Sequence, residues 1–296
     1  MKKRVLVLGA SGMLGSAVMK VFSSDAKFDV FGSVRSRASC DYFSKKIADK
    51  LVIGYDVEDY DQLIELMDKV RPDFVINCVG LVKQLSDSND PLRTIPINSI
   101  LPHRLARVCD LIGSRLIHVS TDCVFSGGKG GYLETDTPDA EDLYGRSKLL
   151  GEVDYPNAVT LRTSIIGHEL NGARSLIDWF LSQKGVVKGY KRAVFSGLPT
   201  FELAKVIKDY VVPRDDLRGL YHVSSDPINK YDLLSLVRDV YRHAVEVVED
   251  EALILDRSLN SSRFRKVTGY VPDEWPLLIQ GMNQFYQVSK MEGENV

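Results

Sequence analysis

Four apolar residues, Val5 to Leu8, break into Gly9-Ala10-Ser11-Gly12-Met13-Leu14-Gly15 and resume at once as an amphipathic helical pattern. A chain that leaves a buried strand and enters a helix within so few residues needs glycine for the turn. The helix N-terminus it creates then offers unpaired N–H groups to an anion. Gly9 permits the tight turn, Gly12 lets the backbone approach a pyrophosphate, and Gly15 allows close helix–strand packing. Ser11, Met13 and Leu14 complete the loop. The spacing is GxxGxxG rather than GxGxxG, so the glycines alone do not decide. With an apolar strand before them and Met13, Leu14, Ala17, Val18, Val21 and Phe22 on one helical face after them, they point to a dinucleotide.

The alternation continues. Strand-like runs at 28–34, 51–55, 74–79, 116–119 and 158–161 are almost continuously apolar, as in a parallel sheet covered on both faces. Amphipathic segments lie between them, for example Leu63, Ile64, Leu66, Met67 and Val70, with Asp59 or Asp61 able to cap and Arg71-Pro72 to stop. This predicts an α/β fold: a Rossmann-like doubly wound parallel sheet with a smaller α/β C-terminal substrate lobe. We place the dinucleotide domain at 1–163, with later returns to the sheet near 195–224, and mainly the lobe at 164–296. Helices are predicted at 175–182, 202–211 and 231–241, and a strand at 219–223.

Composition removes other classes. A net charge of −2 over 296 residues, without a long basic run, gives no case for nucleic acid. No 18-residue apolar span and no secretory pattern is present, so neither a membrane segment nor export is expected. Cys40, Cys78, Cys109 and Cys123 are scattered without a CxxC pair or a histidine at ligand spacing. They read as free thiols of a reducing cytoplasm, and no metal site is expected.

The second strand speaks to the cofactor. An acid there would bind the ribose 2′-hydroxyl of NAD. Here the strand ends in Val34-Arg35-Ser36-Arg37, and a guanidinium suits a 2′-phosphate. The alternative is a pair of solvated arginines, so NADPH is expected ahead of NADH. Further on, Tyr144 and Lys148 of "YGRSK" stand four apart on one helical face. A lysine beside a phenol lowers its pKa and fits it for proton transfer at a carbonyl.

With "GASGMLG", "YDVED", "NCVG", "STDCVF" and "YGRSK" in this order, the chain resembles the extended short-chain dehydrogenase/reductases. "YLETD", "LRTSIIG", "FSGLPTFELAKVI" and "GLYHVSS" make it most similar to the dTDP-4-dehydrorhamnose reductase family. That resemblance implies reduction of a 4-keto-6-deoxy sugar nucleotide for surface polysaccharide such as O-antigen. It makes Thr121, Tyr144 and Lys148 the catalytic trio. Asp56 and Val57 correspond to the adenine-contacting pair, and Cys78, Val79 and Gly80 to the wall beside the cofactor's central portion. Asp56 as a strand-end cap and Cys78 as a small core residue are the structural alternatives. Helices near 102–112 and 144–153 are those that pair in dimers of this superfamily, so by analogy a homodimer is the expected assembly.

Three departures bear on the substrate. Dehydratases of the superfamily carry Asp-Glu after the catalytic hydroxyl residue; here Asp122 is followed by Cys123, which disfavours dehydration. Epimerase-reductases place a cysteine at this spacing, but pair it with a histidine in the next lobe. The stretch 171–177 has none, and His168 lies earlier. Cys123 therefore reads as a wall of the sugar pocket, with an epimerase role as the alternative. Ile165-Ile166-Gly167 replaces the family's aromatics, and Val82, Lys83 and Gln84 stand at the pocket mouth. A different sugar follows, such as a UDP- or dTDP-linked acetamido sugar. Asp122 is expected to shape the pocket or touch sugar hydroxyls. Lys83 is a substrate contact or a solvated loop lysine. Trp179 with Phe180 is either a surface for the nucleotide base or lobe core, and Arg257, Arg263 and Arg265 are either a pocket rim or a solvated face. An NADP-binding regulatory subunit without turnover is the reading from another class.

Overall fold

Apolar residues at consecutive positions of a strand point to opposite faces, so such a strand is stable only with cover on both. The first strand shows this. Val5 and Val7 enter one core cluster, while Leu6 and Leu8 enter another on the opposite face, and all four are fully buried. The computed structural model of the chain describes residues 1–81 and 89–294. Its first half runs β1 (Lys3–Leu8), α1 (Met13–Ser23), β2 (Phe28–Val34), α2 (Lys45–Ala48), β3 (Leu51–Ile53), α3 (Tyr60–Val70), β4 (Phe74–Asn77), α4 (Pro91–Ile95), α5 (Leu101–Leu111), β5 (Arg115–Thr121), α6 (Leu143–Leu150) and β6 (Ala158–Thr163).

Helix ends follow local chemistry. Asp59 caps α3, its carboxylate accepting from the Asp61 and Gln62 amides. Arg71 closes that helix in the left-handed region, φ 48°, just before Pro72. Apolar residues at helical spacing lay α1 against the sheet through Leu14, Ala17, Val18 and Val21.

The second half contains β7 (Ile165–Ile166), α7 (Leu176–Ser182), β8 (Gly185–Tyr190), β9 (Ala193–Phe195), β10 (Leu198–Pro199), α8 (Thr200–Val206), β11 (Gly219–His222), β12 (Ile228–Asn229), α9 (Lys230–Tyr241), β13 (Val245–Asp250), β14 (Leu255–Asp256), α10 (Ser262–Thr268) and α11 (Trp275–Glu294). A π-helical turn, Ile207–Val211, extends α8. Strand β11 returns to the main sheet and pairs in parallel with β6, Gly219 opposite Val159. The seven strands lie in the order β11-β6-β5-β4-β1-β2-β3, each pairing parallel. Within the stretch 195–224, β11 is the segment that joins this sheet. By contrast, β9 pairs with β12 and β14, and β10 with β7, in small sheets of their own. These segments carry only two or three paired residues each.

Chain order reverses between β1 and β4, which opens a crevice beyond their carboxyl ends where α/β folds hold ligands. No helix among the described residues is long and apolar enough to cross a membrane.

Candidate active site

The glycine turn occupies that crevice. Gly9 has φ 75°, a conformation that favours glycine. A Cβ on Gly15 would lie 2.0 Å from the Gly9 carbonyl oxygen. Gly15 thus admits the turn's own backbone, a closer constraint than helix–strand packing. Gly12 is the N-cap of α1, and no side chain caps that helix. Its first amides are therefore left to face an anion. Across the crevice, Cys78, Val79 and Gly80 leave β4, and Asn98 clasps the next residue. Asn98 Oδ1 accepts from the Leu81 amide (2.9 Å), while Nδ2 donates to the Leu81 carbonyl (3.1 Å) and to Ser147 Oγ (3.2 Å). Asn98 sits in a π-helical turn, Pro96–Ile100. Sequence reasoning missed it, since the apolar period gives no sign of that turn.

Thr121 ends β5. Its Oγ1 accepts from the Cys123 amide (3.1 Å) and donates to Asp122 Oδ1 (3.2 Å). Asp142 caps α6 by accepting from the Gly145 amide (2.8 Å). A Cβ on Gly145 would stand 2.3 Å from the Cys123 carbonyl oxygen, so α6 is pressed directly onto the 121–123 turn. This brings the Tyr144 phenol into hydrogen bonding with Thr121. One turn later, Lys148 is buried and its Nζ donates to the Val119 carbonyl at 2.9 Å. A single cavity of about 560 Å³ touches Gly12, Met13 and Leu14 of the turn, Cys78, Val79 and Gly80 of the opposite wall, and Thr121, Asp122, Cys123, Tyr144 and Lys148.

The acidities differ from the sequence expectation. Burial pushes the Tyr144 phenol up, helped by the Cys123 and Asp122 charges. The lysine effect expected from the four-residue spacing is overridden, because burial disfavours phenolate and the ammonium is tied to the Val119 carbonyl. Tyr144 is thus held as a neutral acid. Burial also lowers Lys148 to about 8, opposed chiefly by Glu152. Asp122 is raised by burial, against the Cys123 thiol, Arg257 and Lys230. Burial and the Asp122 charge put Cys123 up at about 12, and Arg257 Nη1 lies 3.6 Å from its sulfur. His168 does not approach this cysteine. Its Nδ1 meets Asp178 (2.5 Å), its Nε2 meets the Tyr241 hydroxyl (2.8 Å), and its ring stacks on Tyr286.

Other residues singled out in the sequence fall elsewhere. Arg35 and Arg37 are exposed just beyond β2. Asp56 accepts from the Glu58 amide (3.0 Å), and Val57 packs on the α3–α5 side of the core; neither lines the cavity. Val82, Lys83 and Gln84 lie outside the described residues. Trp179 is 40% exposed and away from the cavity, whereas Phe180 is fully buried. Arg257 lines the cavity, but Arg263 lies over the Tyr221 ring and Arg265 pairs with Asp226. The remaining wall comes from Thr163, Ser164, Ile165, Glu169, Arg174 and Ser175. Glu169 fixes that loop by accepting from the Arg174 amide (2.7 Å) and the Ser175 amide (3.2 Å). Lys230, whose pKa is lowered to about 8 by burial, carries its charge towards Asp122 and Cys123. No local pattern distinguishes Lys230 or Glu169 from surface charge.

The chain is similar over 165 residues, at 34% identity, to a probable low-salt glycan biosynthesis reductase of Haloferax volcanii. The match covers 54% of this chain and about half, 52%, of that relative. Methionine adenosyltransferase 2 subunit beta of Danio rerio is 26% identical over 84% of this chain and 79% of its own. Among solved structures, a dTDP-4-dehydrorhamnose reductase of Bacillus anthracis in complex with NADP superposes with a TM-score of 0.79 at 20% identity. It covers 96% of this chain and 99% of that one, and shares its fold. The family described as RmlD substrate binding domain matches residues 2–253, and the chain belongs to that family.

Proposed function

We propose that the protein is an NADPH-dependent reductase of a nucleotide-activated 4-keto-6-deoxyhexose. One observation carries the reading: a single cavity runs from an uncapped helix N-terminus behind a glycine turn to Thr121, Tyr144 and Lys148. The turn fits a dinucleotide pyrophosphate, because the Gly9 and Gly15 backbone leaves no side chain in its path. Gly12, Met13 and Leu14 would hold that group, Cys78 to Gly80 would flank it, and Lys148 would meet the nicotinamide ribose. When bound there, NADPH supplies the hydride.

The protein's own work is proton transfer and orientation. Thr121 donates to the C4 oxygen and fixes its place. Tyr144, kept neutral by burial, gives that oxygen a proton as it becomes an alkoxide. Lys148 offsets the negative charge that develops on the phenol. Asp122, Cys123 and Arg257 face the sugar. Cys123 at about 12, with His168 engaged elsewhere, is poorly placed as an epimerase base. The expected homodimer would use α5 and α6, which leave Leu111 and Leu150 well exposed; light scattering tests it. The four unpaired cysteines suit a reducing cytoplasm.

Loss of reduced-nicotinamide absorbance with UDP-, dTDP- or GDP-linked 4-keto-6-deoxyhexoses tests the activity. Tyr144→Phe should lower kcat by about 10²–10⁴-fold while NADPH still binds. No oxidation with any of the three would overturn the reading. The likeness to a methionine adenosyltransferase subunit over most of the chain favours one second reading, a binding subunit. Tyr144→Phe would then change no phenotype.

A further inference from the structure

Two acids clasp a loop that the reduction chemistry leaves unused. Residues 167–175 join β7 to α7, and Glu169, Arg174 and Ser175 of this loop line the cavity. Gly172, at φ 101°, turns the chain back on itself. Glu169 Oε2 can then accept from the Arg174 amide (2.7 Å) and the Ser175 amide (3.2 Å). Asp178, in the first turn of α7, closes the loop from the other side. Its Oδ2 accepts from the Glu169 amide (2.7 Å) and Ser175 Oγ (3.0 Å), and its Oδ1 meets His168 Nδ1 (2.5 Å). A carboxylate only accepts, so His168 carries a hydrogen on Nδ1. Through its Nε2 contact with the Tyr241 hydroxyl and its stack on Tyr286, the same histidine ties the loop to α9 and α11.

This clasp leaves one charge unspent. Among the described residues, the charged side chains of the cavity wall are Asp122, Lys148, Glu169, Arg174 and Arg257. Asp122 accepts from Thr121, Lys148 holds the Val119 carbonyl, Arg257 holds the Phe125 carbonyl, and Glu169 holds two amides. The Arg174 guanidinium makes no hydrogen bond or ion pair among the described residues, although its own amide is pinned. An arginine on a free loop samples many places. Here the backbone beneath it is bonded on both sides while the side chain is left for a ligand.

That ligand is an anion, and a guanidinium takes phosphate oxygens two at a time. In the function proposed above, each molecule entering the cavity carries a diphosphate. The uncapped start of α1 serves that of the cofactor. The other lacks such a receiver, and Arg174 stands among the loops of the second half, with Ser164 and Arg257. We propose that Arg174 binds the diphosphate of the sugar nucleotide, and that Asp178, steadied by His168, is the positioning residue that holds Arg174 at the cavity. The inference rests on the reading of the substrate as a nucleotide sugar.

The test is ligand-observed NMR on the NADPH-loaded protein with UDP, dTDP and GDP, each beside its nucleoside. Arg174 is exposed, so Arg174→Met does not put the fold at stake. It should weaken the diphosphate that binds by about tenfold and leave the nucleoside and the NADPH Kd unmoved. Arg174→Lys should recover part of the loss, as a point charge without the fork. Asp178→Asn should weaken the same diphosphate by about threefold. The double variant should be no weaker than Arg174→Met, because Asp178 acts through Arg174. If Asp178→Asn fails to fold, His168→Gln reads the same support from behind. In turnover assays the loss should appear in KM rather than kcat. Equal losses for nucleoside and diphosphate, or a loss that falls on NADPH, overturn the proposal. Additive losses in the double variant overturn the role of Asp178. A wild type that binds none of the three diphosphates sinks the nucleotide-sugar reading itself. Binding that survives Arg174→Met unchanged sinks this proposal alone.

Discussion

The two ends of the cavity are built differently. At the cofactor end, much of the wall follows the carboxyl ends of sheet strands: Gly12 after β1, Cys78 to Gly80 after β4, Thr121 on β5, with Lys148 of α6 beside them. Neighbours in that wall are fixed by parallel pairing, as Val7 opposite Ile76 and Leu8 opposite Asn77 show. At the substrate end, Ser164, Glu169, Arg174 and Arg257 come from separate loops, tied by side chains such as Glu169 and by the Arg257 bond to the Phe125 carbonyl (2.8 Å). The difference teaches where change is tolerated. A sheet edge positions backbone and resists substitution at the turn; a loop wall positions side chains and can be re-cut for another sugar.

The sharpest way to break this comparison is at the turn. In Gly15→Ala the new Cβ meets backbone at 2.0 Å, not the end of a flexible side chain, so the Gly9 turn must open. NADPH affinity should fall about 100-fold or more, equivalent to roughly 2.7 kcal/mol, in a fluorescence titration. If Gly15→Ala binds NADPH normally, the sheet end is not the rigid half.

The opposite half should separate binding of sugar from binding of cofactor. Arg257→Met removes a guanidinium from the cavity wall while keeping an apolar stem. A lost charged hydrogen bond of about 1.5–3 kcal/mol would raise KM for the sugar nucleotide at least about tenfold, with the NADPH Kd unmoved. Equal losses in both would mean that the two ends form one site.

The same division explains what could be read in the chain. The glycine turn was legible because its constraint is local: strand, turn and helix are contiguous. Tyr144 and Lys148 were legible through helical spacing and family resemblance, yet their acidities were not, since burial is set by the whole fold. Arg257 could not be ranked above Arg263 and Arg265, because what selects it is a contact 134 residues away, at Cys123. Trp179 stands away from the cavity for a simpler reason. Ile177 and Phe180 share one face of α7 and are both fully buried, and the residue one step before Phe180 must then turn outwards.

Proton dependence sharpens the comparison within the cofactor half. In the proposed mechanism Lys148 acts as an ammonium, and burial holds its pKa at about 8, below the ordinary lysine value. Below that pH the charged form is populated; as pH rises through it, the charge is lost. kcat/KM should therefore fall about tenfold per pH unit on the alkaline side of about 8. A profile flat to pH 10 would show that Lys148 does not act through its charge.

The smallest expected effect lies at an exposed strand end beside the cofactor half. Arg35 and Arg37 stand just beyond β2, outside the cavity. Exposed charges are screened by salt and worth at most about 1 kcal/mol each. Arg35→Ser/Arg37→Ser should therefore weaken NADPH binding by only about fivefold at low salt, and leave NADH binding unchanged. Raising salt should erase the difference between wild type and variant, because the contribution is Coulombic and open to water. Equal wild-type affinities for NADPH and NADH would sink the preference, and with it the assignment of these arginines to a 2′-phosphate. A loss with NADH as large as that with NADPH would instead place them against the diphosphate or ribose, and make this strand end part of the rigid half.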